Sequence, residues 1–200
     1  MLETTRGPLY DRSQNHSRIS TGCDDKSGVD ADGSRAGRHD GDHCLRVFVS
    51  CITGGDIRFA DYAGHPILVV NTASLCGFTP QYAGLQQLWT ELHDRGLMII
   101  GVPSNDFGGQ EPGGATEIAE TAQHQYGVTF PIAAKAIVRG PNAHPFYKWA
   151  ANARPKDVPR WNFHKYLVGH DGYLAEAFPE SVEPLDTRVK TAIARALADS

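Results

Sequence analysis

The chain has 200 residues and a formal net charge of −4, and that length is typical of one domain with a substantial hydrophobic core. The slightly negative charge gives no basic surface for nucleic acid or for an anionic membrane. No apolar run is long enough to predict a transmembrane helix, and the polar residues 1–30 lack the apolar segment of a secretory signal. We therefore expect a cytoplasmic protein without a membrane span.

Residues 1–44 are rich in Asp, Gly, Ser, Arg and His and show almost no hydrophobic periodicity. Such a composition cannot bury enough apolar surface to offset the entropy lost on ordering, so we expect a disordered N-terminal extension before a domain at 45–200. His39, His43 and Cys44 lie close together in sequence. They lack a second ligand pair at zinc-finger spacing, so no metal site is expected there.

Regular patterns begin at residue 46. The segments 46–52 and 57–59, joined through two glycines, predict a β-hairpin. Residues 67–71 are nearly all apolar, which predicts a central strand that is buried on both faces. An amphipathic helix is predicted over 80–93, and a second buried strand over 97–102 completes a βαβ unit.

The second half of the chain predicts further helices and one more hairpin. The expected elements are a loop at 105–114, a short helix around 117–125, a helix from near His144, strands at 163–168 and 174–178, and a final helix over 184–198. Their order predicts an α/β protein with a thioredoxin-like fold, in which helices flank a central mixed β-sheet that is preceded by an N-terminal β-hairpin.

Cys76 follows the strand at 67–71 and precedes the helix predicted from residue 80. A helix N-terminus contributes roughly half a positive charge and unpaired N–H donors, both of which favour a thiolate. Cysteines at strand ends are more often inert core residues, and that explanation also accounts for the placement taken alone. Cys76 is the candidate nucleophile because neighbouring segments add to the pattern.

Three segments of the chain resemble the glutathione peroxidase family: NTASLCGFTPQY at 71–82, VPSNDFGGQEPG at 102–113 and RWNFHKYLV at 160–168. They occur in the family's order and approximate spacing, from about residue 46 to the C-terminus. The resemblance implies the thioredoxin-like fold and a thiol-dependent peroxidase that acts in defence against oxidative stress. Such an enzyme reduces hydrogen peroxide and organic hydroperoxides through a cysteine sulfenic acid. The implied co-substrate is glutathione or thioredoxin, and no cofactor or metal is implied.

The resemblance places the catalytic residues on Cys76, Gln110, Trp161 and Asn162. Amide and indole N–H groups are suited to this role because they donate hydrogen bonds to developing charge without adding a titratable competitor. Each of the three donors also has an ordinary explanation, as a solvated loop glutamine, a core tryptophan and a turn asparagine.

Many cysteine-containing members of the family carry a second, resolving cysteine, but the matching positions in this chain are Ala122 and Ser104. We therefore favour a one-cysteine cycle, in which glutathione or another external thiol reduces the oxidised Cys76. The other route is resolution by Cys51, in a predicted strand, or by Cys23 or Cys44, in the predicted flexible extension. This chain also lacks the longer insertion of tetrameric members before Trp161, so the resemblance implies a monomer. Four basic residues are candidate anchors for a glutathione carboxylate: Arg95, Arg139, Lys148 and Arg160.

A second hypothesis shares the first chemical step: a peroxide sensor or redox relay would pass the oxidation of Cys76 to a protein partner. Rapid turnover with small thiols favours the enzyme, whereas slow recycling and a trapped mixed disulfide favour the relay. A CxxC disulfide reductase is disfavoured because Thr79 occupies the position of the second cysteine.

Overall fold

The computed structural model describes residues 44 and 47–199 of the chain. They form a four-stranded sheet, a separate two-stranded hairpin and four α-helices. The strands are β1 (Phe48–Ser50), β2 (Asp56–Arg58), β3 (Ile67–Thr72), β4 (Met98–Pro103), β5 (Lys165–Val168) and β6 (Leu174–Phe178), and the α-helices are α1 (Gln81–Leu92), α2 (Ala115–Ala119), α3 (Pro145–Ala153) and α4 (Thr187–Ala198).

The four-stranded sheet has the order β4-β3-β5-β6. Strand β3 pairs in parallel with β4 and antiparallel with β5, which in turn pairs antiparallel with β6, so the sheet is mixed. Every residue of β3 and β4 is buried, as the nearly continuous apolar runs predicted. The thioredoxin-like α/β architecture with a central β3 is thereby confirmed.

The predicted N-terminal hairpin is also present, although its strands are shorter than expected. Val49 and Ile57 lie opposite each other and are both buried, while their neighbours in the two strands are exposed. Gly54 and Gly55 adopt φ values of 99° and 74° in the turn, a region that residues with a side chain rarely enter. The hairpin is anchored to the domain where Ala134 N–H donates to the Ser50 carbonyl.

α1 and α4 begin within three residues of their predicted starts. α1 starts directly after Pro80 and buries the apolar face predicted for it, including Leu85 and Leu88. α4 starts three residues later than predicted, because the Asp186 side chain caps it by accepting a hydrogen bond from Arg188 N–H at 2.9 Å.

Within the described residues, no helix has both the length and the apolar content needed to cross a membrane.

The helix expected around 117–125 differs from the prediction. α2 ends at Ala119, and the chain continues as a π-helical turn over Glu120–Gln125. Ile118, Thr121 and Ala122 are buried along this segment. Buried residues at such spacing occur in both helix types, so the sequence pattern cannot distinguish them.

Cys44 lies in the core rather than in a flexible extension, so the expectation of a mobile Cys44 is wrong. Its side chain is fully buried, and its backbone N–H donates to the Gly172 carbonyl at 3.0 Å. Burial raises the pKa of the Cys44 thiol to about 12. The predicted disorder of residues 1–43, which include His39 and His43, lies outside the described residues and stays a prediction.

Two ionisable residues are buried at the start of β5. His164 is 4% exposed, and its Nε2 atom has no hydrogen-bond partner. Burial, with a smaller contribution from the neighbouring Lys165 charge, lowers the pKa of His164 to about 4. Lys165 is fully buried, its ammonium donates to the Val182 carbonyl, and burial lowers its pKa to about 8.

We predict that His164 makes the protein less stable in mild acid. Its pKa is lower in the folded state than the ordinary value of 6.5, so the unfolded state takes up the proton first as the pH falls. The free energy of unfolding should therefore decrease from about pH 6.5 to about pH 4, by up to roughly 3 kcal/mol. Urea unfolding across this pH range should show a smaller decrease for His164→Phe than for the wild type.

The matched control for this experiment is His124→Phe, which changes an exposed histidine on the π-helical turn. Its pH dependence should follow that of the wild type. An identical acid sensitivity in the wild type and in His164→Phe would show that His164 is not responsible.

Candidate active site

Cys76 lies in the turn that connects β3 to α1, as its position in the sequence predicted. Cys76 is 7% exposed, and the backbone N–H of Phe78 donates to the Cys76 sulfur at 3.4 Å. This is the single hydrogen bond to the sulfur from within the described residues. A backbone N–H aimed at the sulfur supplies a hydrogen-bond donor for negative charge on that atom.

Thr79 holds this turn together. Its hydroxyl oxygen accepts a hydrogen bond from Cys76 N–H at 3.1 Å, and it lies 2.7 Å from the Cys76 carbonyl and 2.9 Å from the Ala73 carbonyl, to either of which it can donate. The side chain is 5% exposed, so water cannot replace these partners. Thr79 thereby fixes the backbone on both sides of the sulfur. The sequence analysis considered Thr79 only as the missing cysteine of a CxxC motif.

Gln110 and Asn162 meet beside this turn although 52 positions separate them in the sequence. Asn162 Nδ2 donates to Gln110 Oε1 at 3.0 Å, and the Gln110 backbone carbonyl accepts from Leu75 N–H at 3.0 Å. The second bond joins the Gln110 loop to the residue immediately before Cys76. Asn162 is fully buried, whereas Gln110 is partly exposed. Two of the predicted amides are thus in direct contact, next to the cysteine turn.

Trp161 is partly exposed, and its ring packs against Phe107, with 6.0 Å between the ring centroids. A Cβ atom at Gly108 would lie 3.4 Å from the edge of the indole. The absence of a side chain at this position therefore allows the loop to approach the ring closely. The indole N–H has no partner among the described residues, and neither Trp161, Gln110 nor Asn162 donates to the Cys76 sulfur. Gln110 therefore contacts the cysteine turn through its backbone, while Asn162 and Trp161 contact the Phe107–Gln110 loop.

Asn71 joins the two chain segments that carry the candidate residues. This buried residue of β3 donates from Nδ2 to the Trp161 carbonyl at 3.0 Å, and its own carbonyl accepts from Phe163 N–H at 2.6 Å. Phe163 has a φ of 68°, which residues with a side chain rarely adopt. The Asn71 contacts hold this conformation, and they set the position of Asn162 between the two bonded residues.

Glu111 is a buried acid that the sequence analysis did not single out. One carboxylate oxygen accepts from Ser74 N–H at 2.9 Å and from the Ser74 hydroxyl at 3.1 Å, while the other has no partner. Burial raises its pKa, and the Ser74 bonds and the Lys135 charge oppose that shift. Lys135 donates to the backbone carbonyls of Glu111 and Gly113. Glu111 therefore fastens the Gln110 loop to the cysteine turn.

Cys76 forms no disulfide with another described cysteine. Cys44 and Cys76 are free thiols, Cys51 is disulfide-bonded, and Cys23 lies outside the described residues. Ala122 and Ser104, where a second cysteine was considered, are both fully buried. In the part of the chain that the structure describes, no group of three or more His, Cys, Asp or Glu residues is arranged to hold a metal ion.

Removal of the Thr79 hydroxyl should lower the stability of the protein. In Thr79→Val the Cys76 N–H is left buried without an acceptor, so the free energy of unfolding should fall by about 1–3 kcal/mol. Thr79→Ser keeps the hydroxyl and should lose less, and Thr191→Val, at an exposed position of α4, should resemble the wild type. Urea denaturation of the four proteins makes the comparison. Equal stabilities of Thr79→Val and Thr191→Val would remove Thr79 from this role.

Comparison with known proteins identifies the family. Residues 45–151 match the glutathione peroxidase family. The chain is 42% identical over 145 residues to the hydroperoxy fatty acid reductase gpx1 of Synechocystis sp., a match that covers 68% of this chain and 85% of that protein. It is 44% identical over 134 residues to the glutathione peroxidase-like peroxiredoxin gpx1 of Schizosaccharomyces pombe, covering 66% and 85% of the two chains.

Solved structures give the same result for the fold. The crystal structure of Trgpx in its apo form superposes with a TM-score of 0.62 and 31% identity, covering 78% of this chain and 95% of that chain. GPX1 of T. cruzi superposes with a TM-score of 0.63 at 24% identity, over 78% and 97% of the two chains, and supports the fold alone. The chain belongs to the glutathione peroxidase family and is a thiol-dependent peroxidase.

Proposed function

We propose that Cys76 is the nucleophile of this peroxidase and that Gln110, Trp161 and Asn162 donate to the charge that develops on the reacting oxygens. The observation that carries the proposal is the meeting of the Gln110–Asn162 amide pair with the turn that holds Cys76. The Phe78 N–H at the sulfur adds a donor that is present before substrate binds. A site assembled in this way needs little reorganisation during the reaction.

The chemistry proceeds in two parts. The Cys76 thiolate attacks one peroxide oxygen, the O–O bond breaks, and the departing oxygen leaves as water or an alcohol after taking up a proton. The sulfur is then a sulfenic acid, and a first external thiol displaces its hydroxyl as water to give a mixed disulfide. A second thiol releases the Cys76 thiolate and leaves as the oxidised disulfide.

Hydrogen peroxide and organic hydroperoxides are the proposed substrates. The Synechocystis relative is named a hydroperoxy fatty acid reductase, which indicates that bulky peroxides suit this family. In this chain Leu75, directly before the nucleophile, is 67% exposed. An exposed leucine at this position offers an apolar contact to the organic part of a hydroperoxide.

The proposed reductant is an external thiol, glutathione in the first instance and thioredoxin as the alternative, with no cofactor or metal. Three observations support a one-cysteine cycle. Ala122 and Ser104 supply no thiol, Cys51 is disulfide-bonded, and burial raises the pKa of Cys44 far above neutral pH. A buried thiol with a raised pKa is a poor nucleophile toward a sulfenic acid. We further propose a cytoplasmic monomer that protects against oxidative stress.

Substitution of three of the four residues tests the catalytic assignment. Cys76→Ala should abolish peroxidase activity, and Gln110→Ala and Asn162→Ala should each slow oxidation of the reduced enzyme by about 10-fold or more, because a donor to the developing charge is lost. Stopped-flow tryptophan fluorescence after mixing with hydrogen peroxide measures these rates. Gln87→Ala, an exposed amide on α1, is the matched control and should react at the wild-type rate. A wild-type rate in either active-site variant would exclude that residue from the mechanism.

Intact-mass analysis tests the one-cysteine cycle. After one equivalent of peroxide the protein should gain one oxygen, and after glutathione is added it should carry one glutathionyl group before returning to the reduced mass. Cys44→Ser should behave in the same way, since Cys44 has no part in the cycle. A quantitative loss of two hydrogens with a disulfide to Cys76 would contradict the proposal.

The same experiment separates the enzyme from the peroxide sensor or relay. Rapid multiple turnovers with glutathione or with thioredoxin are expected for the enzyme. Oxidised protein that persists with both thiols and accumulates as a mixed disulfide with another protein would support the relay instead.

A further inference from the structure

A cavity of about 420 Å³ lies between α3 and two loops, at 138–143 and at 158–159. We call it the α3 cavity. Its volume is within the range of small-molecule binding sites in proteins. Most of its wall is apolar and is formed by Val138, Pro141, Ala143, Ala151, Val158 and Pro159. None of the four candidate catalytic residues lines it.

Two cationic side chains complete the wall of the cavity, Arg139 from the loop and Lys148 from α3. Both residues are exposed, and neither forms an ion pair with a described residue. The nearby Asp106 carboxylate accepts from the backbone N–H groups of Val138 and Arg139 at 2.7 and 3.2 Å and forms no ion pair with the Arg139 side chain. The cavity therefore combines an apolar wall with two cationic side chains that form no ion pair with a described carboxylate.

The cavity is joined to the catalytic site by two ring contacts. The Arg139 guanidinium carbon lies 4.9 Å from the centroid of the Phe107 ring, at cation–π distance. The Phe107 ring also packs against Trp161, with 6.0 Å between the ring centroids.

We propose that the α3 cavity binds an amphiphilic monocarboxylate, with its carboxylate at Arg139 and Lys148 and its hydrocarbon body against the apolar wall. Arginine pairs with a carboxylate through two parallel hydrogen bonds, and an apolar chain gains free energy by leaving water. Glutathione matches the cavity less well, since its charged and polar groups run along its whole length. The binding proposal does not depend on the catalytic roles assigned to the site residues.

Isothermal titration calorimetry of the reduced protein with decanoate tests this proposal, at concentrations below those that form micelles. Decanoate should bind with a stoichiometry of one, and both decanol and acetate should bind more weakly, because each lacks one half of the recognition. Arg139→Gln should weaken decanoate binding by about 10-fold or more, as expected for the loss of a charge-assisted contact. Ala151→Phe should abolish binding by filling the cavity.

The matched control is Arg95→Gln, which removes an exposed arginine that does not line the cavity, and it should leave the affinity unchanged. Circular dichroism and thermal melting of each variant would show that it is folded. The proposal is wrong if decanoate does not bind, if Arg139→Gln and Ala151→Phe bind it as the wild type does, or if glutathione displaces it. Each result is obtained without turnover, so an inactive enzyme would not affect the conclusion.

Kinetics then identify the source of the carboxylate. If the cavity holds the chain of a fatty-acid hydroperoxide, decanoate should raise the KM for that substrate and leave the KM for hydrogen peroxide unchanged. If the cavity holds a separate fatty acid, decanoate should leave both KM values unchanged while it binds with the calorimetric affinity.

Discussion

The geometry of the site depends on the buried side chain and backbone of Asn71. Its position in the fully buried strand β3 is fixed by pairing with β4 on one side, and the β5 segment lies on the other. Its two hydrogen bonds hold the Trp161 and Phe163 backbone, so Asn162 has little freedom to move. Removing either partner of a buried hydrogen bond leaves the other polar group unsatisfied and lowers the stability of the fold. The rigidity of the sheet is thereby passed to a loop that carries two candidate catalytic residues.

A second set of contacts fixes the cysteine turn from the opposite direction. Thr79 binds the backbone around Cys76 from within the turn, and Glu111 holds Ser74 from the neighbouring loop. Both side chains are buried, and neither contacts the sulfur. The reacting groups are therefore positioned by residues outside the predicted set of four, which lets Gln110 and Trp161 remain partly exposed to incoming peroxide.

The sequence predicted the fold well because the hydrophobic patterns of β3, β4 and α1 are strong and local. The four candidate site residues come from a family resemblance rather than from periodicity, and their catalytic roles stay a prediction. Thr79, Asn71 and Glu111 were missed as positioning residues although they lie in the quoted motifs, since their roles depend on partners that only the folded chain brings near. The π-helical turn and the burial of Cys44 were not predictable for a related reason: apolar spacing does not report helix type, and one cysteine beyond a polar tail carries no periodic signal.

The π-helical turn has a consequence for how other proteins could recognise the oxidation state of this one. Ala122 is buried in this turn, and because alanine has no thiol, position 122 cannot form a disulfide with Cys76. Under a one-cysteine cycle, oxidation of Cys76 requires no disulfide to this segment, so the π-helical turn does not have to unfold during turnover. A partner protein that recognises a change in the conformation of this segment would therefore not detect the oxidation. Only a molecule that reaches the Cys76 sulfur itself would distinguish the oxidised protein from the reduced one.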